Sequence, residues 1–174
     1  MSTLSSSSTH FDQPSSAAPG ARGLERWLER LLSTQEDVGP MIARLALGVV
    51  MFPHGAQKML GWFGGYGFTA TMGYFTHSGI PAFFAFLAIM AEFLGSIGLL
   101  VGALSRVAAF GIAVTMAVAI ATVHAPQGFF MNWAGNQKGE GFEYHLLAIG
   151  LAAVVMVKGA GLLSFDRWFS ARKV

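Results

Sequence analysis

The chain has 174 residues, of which 53% are hydrophobic and only 11% charged, against about a quarter charged in a soluble domain, so it reads as a single membrane domain rather than a soluble enzyme. The absence of Cys excludes disulfides, thiolate metal sites and any cysteine redox chemistry of the chain's own. A net charge of +2, from a few basic residues at predicted membrane edges, leaves no basic face for nucleic acid.

Residues 1–23 are rich in Ser, Pro, Gly and Ala and bury too little apolar surface to offset ordering entropy, so they are expected to be a disordered tail. No secretory signal is expected, because the first long apolar run starts only near residue 39. In the segment 24–38, Leu24, Trp27, Leu28, Leu31 and Leu32 recur at helical spacing opposite Glu25, Arg26, Glu29 and Arg30. That pattern predicts a short amphipathic helix followed by a linker, lying either on the membrane surface or against the end of the bundle.

Four runs then meet the rule of roughly 20 apolar residues for a spanning helix. They cover 39–60, 80–104, 105–124 and 143–163, so the domain is expected over 39–168, with a basic tail at 169–174. An all-α transmembrane four-helix bundle follows, with both termini on one side. Arg22, Arg26, Arg30, Arg106, Arg167, Arg172 and Lys173 gather on that side, whereas Lys58 and Lys138 fall on the other. The positive-inside rule therefore puts the termini in the cytoplasm. Trp27 and Trp168 fall at the cytoplasmic boundary and Trp62 and Trp133 at the outer one, as interfacial Trp does. The two outer connections are long, Gly-rich and aromatic, and read either as a lid over the bundle mouth or as loops dipping into headgroups.

Placing residues at about 1.5 Å each along these helices gathers His54, Gln57, Lys58, His124, Glu143 and His145 into one outer layer. Glu92 is expected roughly 18 Å below the outer boundary, near the bilayer centre. Arg44, Met51 and Lys58 share a stripe with His54. It should face inward, because an ionisable group turned to lipid costs about 2.5 to 3.5 kcal/mol. Glu92 shares a face with Gly95, Ser96, Leu99, Gly102 and Ala103, and His124 shares one with Ala113, Ala117 and Ile120. Glu143 and His145 lie about 200° apart on a regular helix, so only one points inward; Glu143 is the expected cap and polar anchor.

A carboxylate, imidazoles and an ammonium in low dielectric suit proton exchange at a redox ligand. A quinone fits: His54 or Lys58 would hydrogen-bond its carbonyls and Glu92 would relay protons, with Arg44, His124, Glu143 and His145 around it. Against this stands a purely structural reading, in which Arg44 with Glu92, or Lys58 with Glu143, are ion pairs that hold the helices in register. A small-molecule transporter or channel using the same groups is a third reading. Haem or metal held by His54, His124 and His145 is a fourth, although these histidines come from three helices and form no motif on one.

The ordered set RLALGVVMFPHGAQKMLG, SGIPAFFAFLAIMAEFLGSIGLLVG, GFEYHLLAIGLA and GAGLLSFDRW resembles the DoxX family of small four-helix bacterial membrane proteins, over about Met41 to Trp168. The family is named after a subunit of a thiosulfate:quinone oxidoreductase. The resemblance implies an inner-membrane location and a quinone-linked oxidoreductase subunit, with Arg44, His54, Lys58, Glu92 and Glu143 carried over as a polar site. Expected partners are the lipid bilayer, a redox partner protein and a second copy of the chain; nucleic acid is not among them.

Overall fold

The computed structural model describes residues 27, 34 and 37–171. The tail expected over 1–23 and nearly all of the amphipathic segment expected over 24–38 lie outside these residues; Trp27 is exposed. The described residues form helices and no strand. Helix α1 spans Val38–Leu60, α2 Gly67–His77, α3 Ala82–Val101, α4 Ser105–Ala119, α5 Glu143–Lys158 and α6 Phe165–Ala171.

Helices α1, α3, α4 and α5 form a closed ring: α1 packs on α3, α3 on α4, α4 on α5, and α5 back on α1. Ala43, Leu47, Met51, Leu99, Ile112, Met116, Ala152 and Val155 fill its centre. The outside is equally apolar. Ile42, Val50, Phe83, Leu94, Phe110, Val114, Leu147 and Val157 are all exposed, as a surface solvated by lipid tails requires. The end of the ring carrying Lys58 is called the upper end below, and the end carrying Arg44 the lower.

Three helices, Val38–Leu60, Ala82–Val101 and the extended α4 over Ser105–Gln127, are long and apolar enough to cross a membrane. The fourth expected span, 143–163, stops early. Helix α5 ends at Lys158 after 16 residues, about 24 Å and short of a hydrocarbon core of about 30 Å. Gly159 and Gly161 take positive φ of 85° and 71°, which turns the following carbonyls away from the helix axis. Two further helices went unforeseen in the sequence reading. Helix α2 occupies the first outer connection, and α6 continues to Ala171 where a basic tail was expected from residue 169.

Arg44 explains the turn after α5. Its Nε donates to the Ala160 carbonyl at 2.8 Å. Nη1 donates to Leu99 and Leu100 at 2.7 and 2.9 Å, and Nη2 to Leu162 and Leu163 at 3.2 and 2.7 Å. A guanidinium has five N–H donors, and all five are used. Two of the acceptors are final carbonyls of α3, where the helix dipole favours a cation; Leu99 also accepts from the Gly102 N–H at 3.3 Å. Beside this staple, Asp166 accepts from the backbone N–H groups of Leu104 and Ser105 at 2.7 and 2.9 Å. It thereby caps α4 from 61 residues away and holds Leu104 at a φ of +49°, in the left-handed region a non-glycine residue normally avoids.

Arg44→Lys should therefore be costly although the charge is kept. A single ammonium cannot serve five carbonyls, and each buried acceptor left unpaired costs about 1–3 kcal/mol. The expected loss, about 3 kcal/mol or more, is read from unfolding in detergent; unchanged stability would remove the staple from the account.

Candidate functional site

Near the upper end, α1 and α3 come into backbone contact because residue 55 is Gly. A Cβ added there would lie 2.6 Å from the Phe93 backbone and 2.7 Å from the Glu92 carbonyl carbon. One turn further along α1, Lys58 consequently reaches across: its Nζ donates to Glu92 Oε2 at 2.5 Å. The carboxylate is nearly enclosed, its side chain 4% exposed, and the lysine is 26% exposed. Among the described residues Glu92 thus pairs with Lys58, not with Arg44, and Lys58 does not pair with Glu143. The staple described above uses every donor of Arg44, about 21 Å along α1 from Lys58.

The carboxylate lies level with Gly55, where α1 and α3 touch. Helix α2 flanks the upper turns of α3 through the edge-to-face contact of Phe68 with Phe86. The expected face of α3 is the one observed, since Glu92, Gly95, Ser96 and Leu99 are all buried.

A row of rings continues from the pair. His54 is exposed, and its ring lies 5.9 Å from that of Tyr144. The Tyr144 hydroxyl donates to Met51 Sδ at 3.3 Å, and its ring lies 5.3 Å from that of His145. His145 in turn sits 4.0 Å from His124. It is 6% exposed, and its Nδ1 has no hydrogen-bond partner among the described residues. His124 Nδ1 lies 2.8 Å from the Glu140 carbonyl. A carbonyl only accepts, so that nitrogen carries a proton, and in the neutral imidazole Nε2 is then the acceptor.

His124 reaches His145 by a route the spacing did not predict. The buried face of α4 is Ser105, Ala109, Ile112 and Met116, not the expected stripe with Ala113, Ala117 and Ile120; Ala117 is exposed. A regular helix would continue the buried face to Val123. Instead Ile120–His124 form a π-helical turn, whose extra residue leaves Val123 exposed and brings His124 to the inner side.

His145 is buried. Glu143 does not cap α5, of which it is the first residue and whose N-terminus has no side-chain cap; it anchors the second outer connection instead. Its Oε1 accepts from the Met131 N–H at 2.9 Å and from Trp133 Nε1 at 3.3 Å. The Glu140 carboxylate likewise accepts from Asn132 N–H at 2.7 Å. Tyr144 is the cluster member missed in the sequence. Its signal was the α5 period shared with Ala148, Leu151 and Val155. No group of three or more His, Asp or Glu among the described residues is gathered closely enough to hold a metal ion.

The sequence profile of the DoxX family matches residues 39–125, half of the chain. The chain belongs to the DoxX family. It is a multi-pass membrane protein, and the matched part runs from α1 to the end of the π turn. Two relatives align over longer stretches, 130 and 133 residues. CatD of Bacillus subtilis (strain 168), named as a candidate oxidoreductase, is 27% identical over 130 residues, 75% of this chain and 86% of its own. The Escherichia coli (strain K12) inner membrane protein YqjF is 29% identical over 133 residues, 76% of this chain and 92% of its own. No solved structure matches.

The contact at Gly55 sets the reach of Lys58, so Gly55→Ala in this DoxX protein should push α1 and α3 apart. The expected cost is about 1–3 kcal/mol, the usual range for overpacking. Gly150→Ala is the control, because nothing lies within 4 Å of the added carbon. Melting curves in one detergent compare the two, and equal melting temperatures would count against the contact.

Proposed function

We propose that this DoxX protein is an inner-membrane redox subunit whose upper polar cluster receives the head of a quinone. The observation that carries the reading is the buried Lys58–Glu92 pair standing beside the exposed His54. Quinone carbonyls accept hydrogen bonds, and reduction to the quinol takes up two electrons and two protons. His54 and Lys58 supply donors for a carbonyl. Glu92 supplies a carboxylate within 2.5 Å of an ammonium, so a proton released or gained there is balanced by a neighbouring charge. A lipid-facing wall that includes the stacked Phe52 and Phe93 suits an isoprenoid tail. The chain has no Cys, so electrons come from a partner protein. The name of CatD as a candidate oxidoreductase and that of YqjF as an inner membrane protein agree with this reading.

A second reading is favoured by the same pair, which is complete as it stands: Lys58 and Glu92 then serve only to join α1 to α3. Glu92→Gln separates the two. It keeps an acceptor for Lys58 but carries no proton. The redox reading expects the purified protein to retain quinone in mild detergent. It also expects the variant to lose about a hundredfold in quinol formation in native membranes, with its melting temperature little changed. A lower melting temperature at full turnover would leave only the structural role.

A further inference from the structure

We infer that His124 and His145 form a proton-carrying branch that connects the loop surface at Glu140 with the Lys58–Glu92 pair by way of Tyr144 and His54. The inference rests on the redox reading above and adds to it the route by which protons arrive. Its first support is the π turn. A π-helical turn interrupts the regular α4 ladder, and such turns gather at functional positions; here its effect is to set one imidazole 4.0 Å from another. Packing alone does not need this, since the regular helix would present the apolar Val123 at that level. The second support is the buried His145 Nδ1, which has no partner among the described residues. A buried polar nitrogen ordinarily finds one, and this one faces a route with titratable groups on every side.

Those groups are His54 and Lys58 on α1, Glu92 on α3, His124 on α4, Tyr144 and Glu143 on α5, and Glu140 in the loop. Glu140 and Glu143 are held by loop N–H donors. The rest run in sequence from the half-buried His124 to the enclosed Glu92. Ring centroids 5.3 and 5.9 Å apart along this row are those of neighbouring rings in edge contact, with their titratable atoms at the rims. His124 Nε2 takes a proton from water, His145 receives it, and Glu92 hands one proton to the ligand, so the chain returns to its starting protonation. Two such passages supply the two protons that accompany two electrons from the donor protein. The short centroid distance also bears on metals. Two imidazoles bound through nitrogen to one ion at about 2.0–2.1 Å hold their rings further apart than this pair does.

The test uses His124→Asn and His145→Gln in the full chain, in native membranes, with decylubiquinone as acceptor. Asn at 124 retains a donor for the Glu140 carbonyl but cannot carry a proton. Both variants should lower kcat by about a hundredfold, leave KM for decylubiquinone unchanged and keep the melting temperature. His124→Ala should regain turnover when imidazole is added. Unchanged kcat in both variants, alongside a loss in Glu92→Gln, would overturn the branch alone. A raised KM at full kcat would make His145 a ligand contact, and a lowered melting temperature without imidazole rescue would make the pair packing; either overturns the inference. Wild-type membranes that neither bind nor reduce decylubiquinone would overturn the redox reading and the branch together.

Discussion

Inside a bilayer a polar group has no water to fall back on, so its partner must come from the protein. Two buried charged groups here, Arg44 and Glu92, show how differently that requirement is met. Arg44 donates to five backbone carbonyls, at the end of α3 and in the turn after α5, which uses every donor it has. Glu92 has one side-chain partner on another helix, which it reaches because Gly55 lets the two backbones touch. The lower end is thereby closed by side-chain bonds to backbone groups, and the upper end keeps groups whose protons can move.

That asymmetry gives the molecule a rigid end and a chemical end. At the lower end Asp166 and Arg44 tie α6, the turn after α5, the end of α3 and the start of α4 into one network. At the upper end the carboxylates of Glu140 and Glu143 organise the second connection, and the imidazoles and Tyr144 beneath it meet through ring contacts instead. A loop fixed by its own acids leaves the histidines below uncommitted to holding it, apart from the single contact of His124 with the Glu140 carbonyl.

Much of this was legible in the sequence, because hydropathy and helical period report on single helices. The four helices of the ring and the inward face of α3 follow from spacing, although the fourth ends at Lys158 rather than 163. What was not legible depends on pairs of helices or on breaks in a helix. The partner of Glu92 depends on how close α1 and α3 approach, and the signal for that, Gly55, looks in sequence like any other glycine. The inward turn of His124 depends on a π turn that no 3.6-residue period reveals. Tyr144 carries no charge and stands between Glu143 and His145, so composition alone does not mark it. Arg44 shares a stripe with Met51 and Lys58 but stands 14 residues before Lys58 on α1, so it lies at the opposite end.

The reach of Arg44 also governs the order in which the chain can be built. Its acceptors at Leu99 and Leu100 are made 55 and 56 residues after it, and those at Ala160, Leu162 and Leu163 a further 60 or so residues later. During synthesis the guanidinium therefore emerges with none of its partners and acquires two when the second long helix is complete. Only the arrival of the last turn finishes its coordination. Until then the first helix carries an incompletely matched cation, which favours keeping it beside the insertion machinery or at the membrane surface, so the turn over residues 160–163 is the closing step.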